Sequence, residues 1–151
     1  MANPDPILTQ PATARRLSSG LPAGIRMLQA LGLNRHEQAG LLGLSPRSLE
    51  RAAHPSAAVL SQDQLARLSI TIGIYNALHL LYDANTAAGW LQRANQRPPF
   101  GGQTPLDYMR RGGLPAMDET RRLLAGDQGG LFSVTPKAHK AAADFRTVIE
   151  L

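Results

Sequence analysis

Residues 34–53 read NRHEQAGLLGLSPRSLERAA, and this stretch decides the fold. Asn34 is suited to cap a helix from Arg35 to Leu42, because its side-chain oxygen can accept one of the unpaired N–H groups of a first turn. Gly43 can take the positive φ that a sharp exit requires. Ser45 then caps a second helix with Pro46 at its first position, running to about Ala53 before Pro55 stops it. Two short helices joined by a tight glycine turn predict a helix-turn-helix. Ala39 supplies the small residue needed where the helices cross, and Leu42, Leu44 and Leu49 supply apolar contacts. Arg47, Ser48, Glu50 and Arg51 project from the second helix. In a DNA reader that helix enters the major groove, with Arg47 suited to guanine or phosphate, Arg51 to phosphate, and Ser48 between them. Glu50 argues the other way, since phosphate repels a carboxylate. A helical hairpin with no nucleic-acid partner fits the same residues.

Working outward, residues 1–20 are rich in Pro, Ser, Thr and Ala and read as a flexible arm, with Arg15 and Arg16 as a solvated pair or a nucleic-acid contact. Pro22 opens a short helix with Ile25, Leu28 and Leu31 on one face, ended by Gly32. On the other side, Ser61 and Gln64 form a capping box for the longest helix. Its Leu65, Leu68, Ile72, Tyr75, Leu78, Leu81 and Tyr82 share a face, and Ile70 and Ile74 add apolar character elsewhere. Such a helix is expected to be buried nearly all round, shared between two subdomains or paired with a second copy. A short helix starts at Asn85 or Thr86 and carries Trp90 and Leu91. Residues 95–103, NQRPPFGGQ, form a loop by composition. Thr104 and Pro105 begin a helix with Leu106 and Met109 inside. Gly112 and Gly113 break it, Pro115 to Leu124 forms another, and the chain loosens at DQGG after Gly126. One more helix, capped by Thr135, is open to the tail.

Composition narrows the class. Hydrophobic residues make up 43% of the 151-residue chain and aromatics only 5%, which favours a packed helical interior over a β-sandwich. The formal charge of +5 is carried almost wholly by Arg, which permits contact with a polyanion without requiring it. The chain has no cysteine, so disulfides, thiolate zinc sites and a Cys nucleophile are excluded. It shows no secretory signal and no apolar stretch of bilayer-spanning length, so the expected location is the cytoplasm. His36, His54, His79 and His139 lack metal-ligand spacing, and His79 is expected as a core residue of the long helix. Asp118 and Glu119 face different directions on a helix, and neither glycine-rich segment follows a strand. The chain reads as a non-enzymatic, all-α, partner-binding protein without a cofactor.

GLNRHEQAGLLGLSPRSLERA and the long helix through IYNALHLLYD resemble the Xre-like half of the Xre/MbcA/ParS antitoxin family. The second half is similar to that family's toxin-binding domain in the order Trp90-Leu91, Arg97 to Phe100, Thr104-Pro105-Leu106-Asp107, Arg111 to Gly113, and Thr120 to Leu124. The resemblance covers about residues 22–132. It departs in the N-terminal arm and in the stretch past Gly130 to Ser133, near where family members commonly end. It implies a helix-turn-helix bundle and a small helical toxin-binding domain joined by a long central helix. It also implies a type II antitoxin that dimerises, covers the NAD site of a RES-domain toxin, and binds its own operator DNA. Such toxins degrade NAD or transfer ADP-ribose from it.

Four segments are expected: an arm over 1–20, a helix-turn-helix domain over 21–84, a toxin-binding domain over 85–132, and a tail over 133–151. Asp107, Arg110 and Arg111 are candidate toxin contacts, the arginines meeting acidic groups or a pyrophosphate subsite. Each also has a plainer role in complementing the helix dipole. Trp90 is expected in the core, and Arg121 and Arg122 on a solvated face. In the tail, Lys137, Lys140 and Arg146 can follow an acidic surface while Phe132 and Phe145 anchor in apolar pockets, so residues from about Asp127 onward can help block the toxin's site. The rival reading is a helix-turn-helix transcriptional regulator with no toxin partner. A third is an assembly module with neither role.

Overall fold

The computed structural model describes residues 11–52 and 59–132. Among these the only regular structure is helical, with no strand: α1 (Pro11–Ser18), α2 (Leu21–Ala30), α3 (Arg35–Leu42), α4 (Pro46–Arg51), α5 (Gln62–Leu81), α6 (Ala84–Trp90) and α7 (Pro105–Phe132).

The helix-turn-helix forms where expected, and its caps explain why. Asn34 accepts from the Glu37 N–H at 2.9 Å, while the Glu37 carboxylate accepts from the Asn34 N–H at 2.9 Å, a complete capping box. Gly43 adopts φ 66° and ψ 32°, the left-handed conformation that turns the chain out of α3. Ser45 caps α4 by accepting from the Ser48 N–H at 3.0 Å. Ala39, Leu42 and Leu49 are buried at the crossing.

The 20-residue α5 is about 30 Å long and runs through the centre. Its N-terminus carries the expected Ser61–Gln64 box. Its interior line is Leu65, Leu68, Thr71, Ile74, Ala77, Leu78 and Leu81, so Ile74 lies in the core while Ile72, Tyr75 and Tyr82 are only half-buried. The expectation of burial all round is corrected: Ser69, Asn76, His79 and Leu80 face solvent. His79 is likewise exposed, stacked on Tyr75 at 4.1 Å with Nδ1 3.1 Å from the Tyr75 carbonyl oxygen. The helix needs only the stripe that meets α2, α3 and α7, and His79 lies off it.

Three further expectations change. Residues 11–18 form a helix within the expected arm, because Ala14 packs into the core and the Ser18 hydroxyl accepts from the Leu60 N–H at 3.0 Å. These contacts with distant residues leave no local periodicity. α6 begins one residue earlier than expected, since Asp83 is its cap and accepts from the Thr86 N–H at 2.7 Å. The DQGG segment does not loosen; α7 continues through it to Phe132. Asp127, the first residue of that segment, is held by Arg97 from the preceding loop.

The core is continuous across both halves. Leu28, Leu41 and Leu42 from the first half and Met109, Met117 and Leu124 from the second belong to one buried cluster around α5. Close approach is built in at Gly24, where a Cβ would stand 2.4 Å from Leu68 Cδ1, so α2 lies directly on α5. Trp90, expected in the core, is there, edge-on to Phe100 at 5.9 Å, and Phe100 is edge-on to Tyr108 at 5.5 Å. This aromatic chain ties α6 and the loop to the start of α7.

Candidate nucleic-acid and partner-binding faces

α4 presents Arg47, Ser48 and Arg51 to solvent. Arg47 and Arg51 take part in none of the ion pairs among the described residues, so both guanidinium groups are open to an external anion. The Ser48 hydroxyl accepts from Ser45 Oγ at 3.0 Å and still faces outward. Glu50, the residue that argues against phosphate, is paired with Arg35 at 2.9 Å, and both are well exposed. The pair contributes little stability. It does set a positive charge beside the carboxylate, which weakens the repulsion of a phosphate.

The second face is organised by a break in α7. Gly113 has φ 66° and ψ −149°, a conformation essentially restricted to glycine, and it bends the helix between Gly112 and Pro115. Before the bend, the Thr104 hydroxyl accepts from the Asp107 N–H at 3.1 Å, capping the helix. The exposed Asp107 carboxylate lies in the first turn, where the dipole favours it. Arg110 and Arg111 point apart. Arg110 lies over α3, its Nε 3.3 Å from where a Cβ on Gly40 would be, whereas Arg111 lines an open groove with Gln103, Tyr108, Pro115, Glu119 and Arg122.

The groove is shaped by contacts across the bend. The Tyr108 hydroxyl donates a hydrogen bond to the Glu119 carboxylate, stapling the helix before the bend to the helix after it. That bond, with lesser help from burial and from the Glu119 charge, raises the Tyr108 pKa. Asp118 accepts from Arg121 at 2.7 Å and pairs with Arg122 at 2.9 Å. Its pKa is lowered, first by the hydrogen bond from Arg121 and then by the charges of the two arginines, against opposition from burial. The two arginines expected on a solvated face are therefore partly committed to Asp118. Beyond the groove, Arg97 donates to both carboxylate oxygens of Asp127, at 2.8 and 3.0 Å, and this bond raises the Arg97 pKa.

Of the residues expected to touch a toxin, Asp107, Arg110 and Arg111 lie on the first segment of α7. Phe132 ends that helix, and its side chain lies outside the described residues, as do Lys137, Lys140, Phe145 and Arg146. The Tyr108–Glu119 and Arg97–Asp127 contacts were not read from the sequence. Their partners are 11 and 30 residues apart, beyond any local pattern. Among the described residues no cluster of three metal-ligating side chains forms, and no helix is long and apolar enough to cross a membrane.

An exposed second helix of a helix-turn-helix in one half, a bent grooved helix in the other, and one core between them define an all-helical helix-turn-helix protein with an appended helical domain. Family-level comparison gives that class a name. Residues 12–69 match the antitoxin Xre-like helix-turn-helix domain, and residues 76–130 match the antitoxin Xre/MbcA/ParS C-terminal toxin-binding domain. The chain belongs to the Xre/MbcA/ParS antitoxin family and is an antitoxin of a toxin–antitoxin system. It is also similar to the uncharacterized protein y4oB of Sinorhizobium fredii, at 29% identity over 116 residues, covering 76% of this chain and 88% of that protein. No solved structure matches it.

Proposed function

We propose that this antitoxin neutralises a RES-domain toxin by covering its NAD site, and that it represses its own operon through α4. The observation that carries the reading is the toxin-binding domain match over residues 76–130, which contains the whole bend of α7 and its groove. In this reading residues 21–84 read DNA and residues 85–132 grip the toxin. Asp107, Arg110 and Arg111 meet charged groups of the toxin, with Arg111 best placed because it lines the groove. Phe132, Lys137, Lys140, Phe145 and Arg146 extend the contact toward the NAD cleft. The protein acts in the cytoplasm, as a homodimer within the complex, and catalyses no reaction itself.

Coexpression tests this reading. A RES-domain gene adjacent to this one should arrest growth when expressed alone and be harmless with this chain. Continued arrest in the presence of the folded chain would contradict the proposal. To separate the tail from the groove, the chain should be cut after Phe132, which keeps Asp127 on Arg97. A chain ending there that neutralises as well as the full one would remove the tail from the mechanism and leave the groove.

The regulator reading has one observation in its favour, the open guanidinium groups of Arg47 and Arg51. DNA binding through α4 does not itself require the absence of a toxin, because the two faces lie on different helices.

A further inference from the structure

Arg67, on the second turn of α5, touches both halves. Its Nε donates to Asp63 at 2.8 Å, and Nη1 reaches the Leu41 carbonyl in the last turn of α3 at 3.4 Å. A Cβ on Gly43, the residue that makes the helix-turn-helix turn, would stand 3.1 Å from Arg67 Cδ. A Cβ on Gly113, the bend of α7, would stand 3.5 Å from Arg67 Nη2. The side chain is only 18% exposed, so this is a packed guanidinium and not a solvated one. Its neighbour Gln64 holds the same turn, donating to the Gly43 carbonyl at 3.0 Å.

From this geometry we infer that Arg67 is a positioning residue that links the DNA-reading turn to the toxin-facing bend, so that occupancy of one face changes affinity at the other. The inference rests on the proposed function for the identity of the two ligands. Both ends of the contact are glycines in left-handed φ, Gly43 at 66° and Gly113 at 66°, so the backbone at each end is free of side-chain bulk and lies directly against the arginine. A toxin that alters the angle at Gly113 must move the Arg67 guanidinium or lose its contact. Moving it changes the support under Leu41 and Gly43, which set the direction in which α4 leaves the turn. By linkage the effect is reciprocal. Lysine cannot substitute, because a single ammonium can stay on Asp63 but lacks the planar fork that spans the Leu41 carbonyl and the bend together.

The test uses the full chain, a duplex carrying the promoter upstream of its gene, and the purified product of the adjacent gene. Toxin binding is titrated first without DNA; operator affinity is then measured for the chain alone and for the complex. The wild type should show operator affinities differing by about fivefold or more between the two states. Arg67→Lys should bind each ligand alone within about twofold of wild type, while that ratio falls to near one. Asp63→Asn, at an exposed position, frees the same guanidinium without disturbing the core and should lower the ratio in the same direction. A wild-type ratio of one, or a ratio unchanged in both variants, overturns the inference while leaving toxin binding intact. Failure of the adjacent gene's product to bind in the first titration overturns the proposed function and this inference with it.

Discussion

Arg97 grips Asp127 with both arms of its guanidinium, at 2.8 and 3.0 Å, and so fixes the loop before α7 to the last turns of that helix. The pair spans 30 residues and holds in place a segment, DQGG, that carries little helix propensity of its own. The Asp127 side chain is 27% exposed and that of Arg97 is 42% exposed, so solvent screens the pair in part. Bidentate geometry places it at the upper end of surface ion pairs, about 1 kcal/mol. Arg97→Ala and Asp127→Asn should each lower stability by that order in urea unfolding, with a coupling energy of similar size in the double-mutant cycle. Amide exchange at residues 126–132 should accelerate in both. Unchanged exchange there would mean that the helix end is held by something else.

Two glycine-to-alanine changes should act with opposite sign. At Gly24 the new methyl would meet Leu68 Cδ1 at 2.4 Å inside the core, and overpacking there should cost about 1–3 kcal/mol. At Gly126 nothing lies within 4 Å, and the position is an exposed helix interior, so alanine should stabilise by about 0.5–1 kcal/mol. Thermal unfolding of the two variants checks both signs at once.

Gly113→Ala forces a side chain into φ 66°, ψ −149°, and should cost about 1–3 kcal/mol if the bend persists. If the bend instead straightens, the Tyr108–Glu119 staple opens. The Tyr108 pKa, raised in the native protein, should then return toward 10.0 in a spectrophotometric titration.

Asp118 supplies a pH dependence with a defined sign. Its folded pKa lies below the ordinary 3.8, so the stabilisation is complete above that value and is lost as pH falls through the lowered one. Asp118→Asn should reduce stability at neutral pH and flatten this acid limb. Unfolding measured at pH 7 and near pH 3 distinguishes the variant from wild type, and an equally steep acid loss in both would reassign the titration to another carboxylate.

If α4 reads DNA as proposed, Arg47→Ala with Arg51→Ala should weaken promoter binding and reduce the slope of log affinity against log salt by about 1–2. An unchanged slope would take both arginines off the phosphate backbone.

The parts of this structure legible in the sequence are those written in short-range chemistry. Asn34, Gly43, Ser45 with Pro46, and Ser61 with Gln64 act within four residues of themselves, so the two helices of the motif and the start of α5 could be placed from residue types alone. The break at Gly113 was legible for the same reason. What escaped depends on contacts between distant residues. α1 is held by Ser18 meeting Leu60, the DQGG turn by Arg97, and the groove by Tyr108 meeting Glu119. His79 was misplaced because a helix rich in Leu and Ile does not announce which stripe its neighbours will cover. Arg67 carries no sequence signal beyond its i,i+4 spacing from Asp63, and only the fold brings Gly43 and Gly113 to its other side.

The most direct test of the proposed function is NAD consumption by the purified product of the adjacent gene, titrated with this chain in purified form. The account predicts that consumption falls to background as the chain reaches saturation, and that Arg111→Glu, on the groove, shifts the titration to higher concentration. Consumption that continues unabated with the intact chain bound or in excess would contradict it.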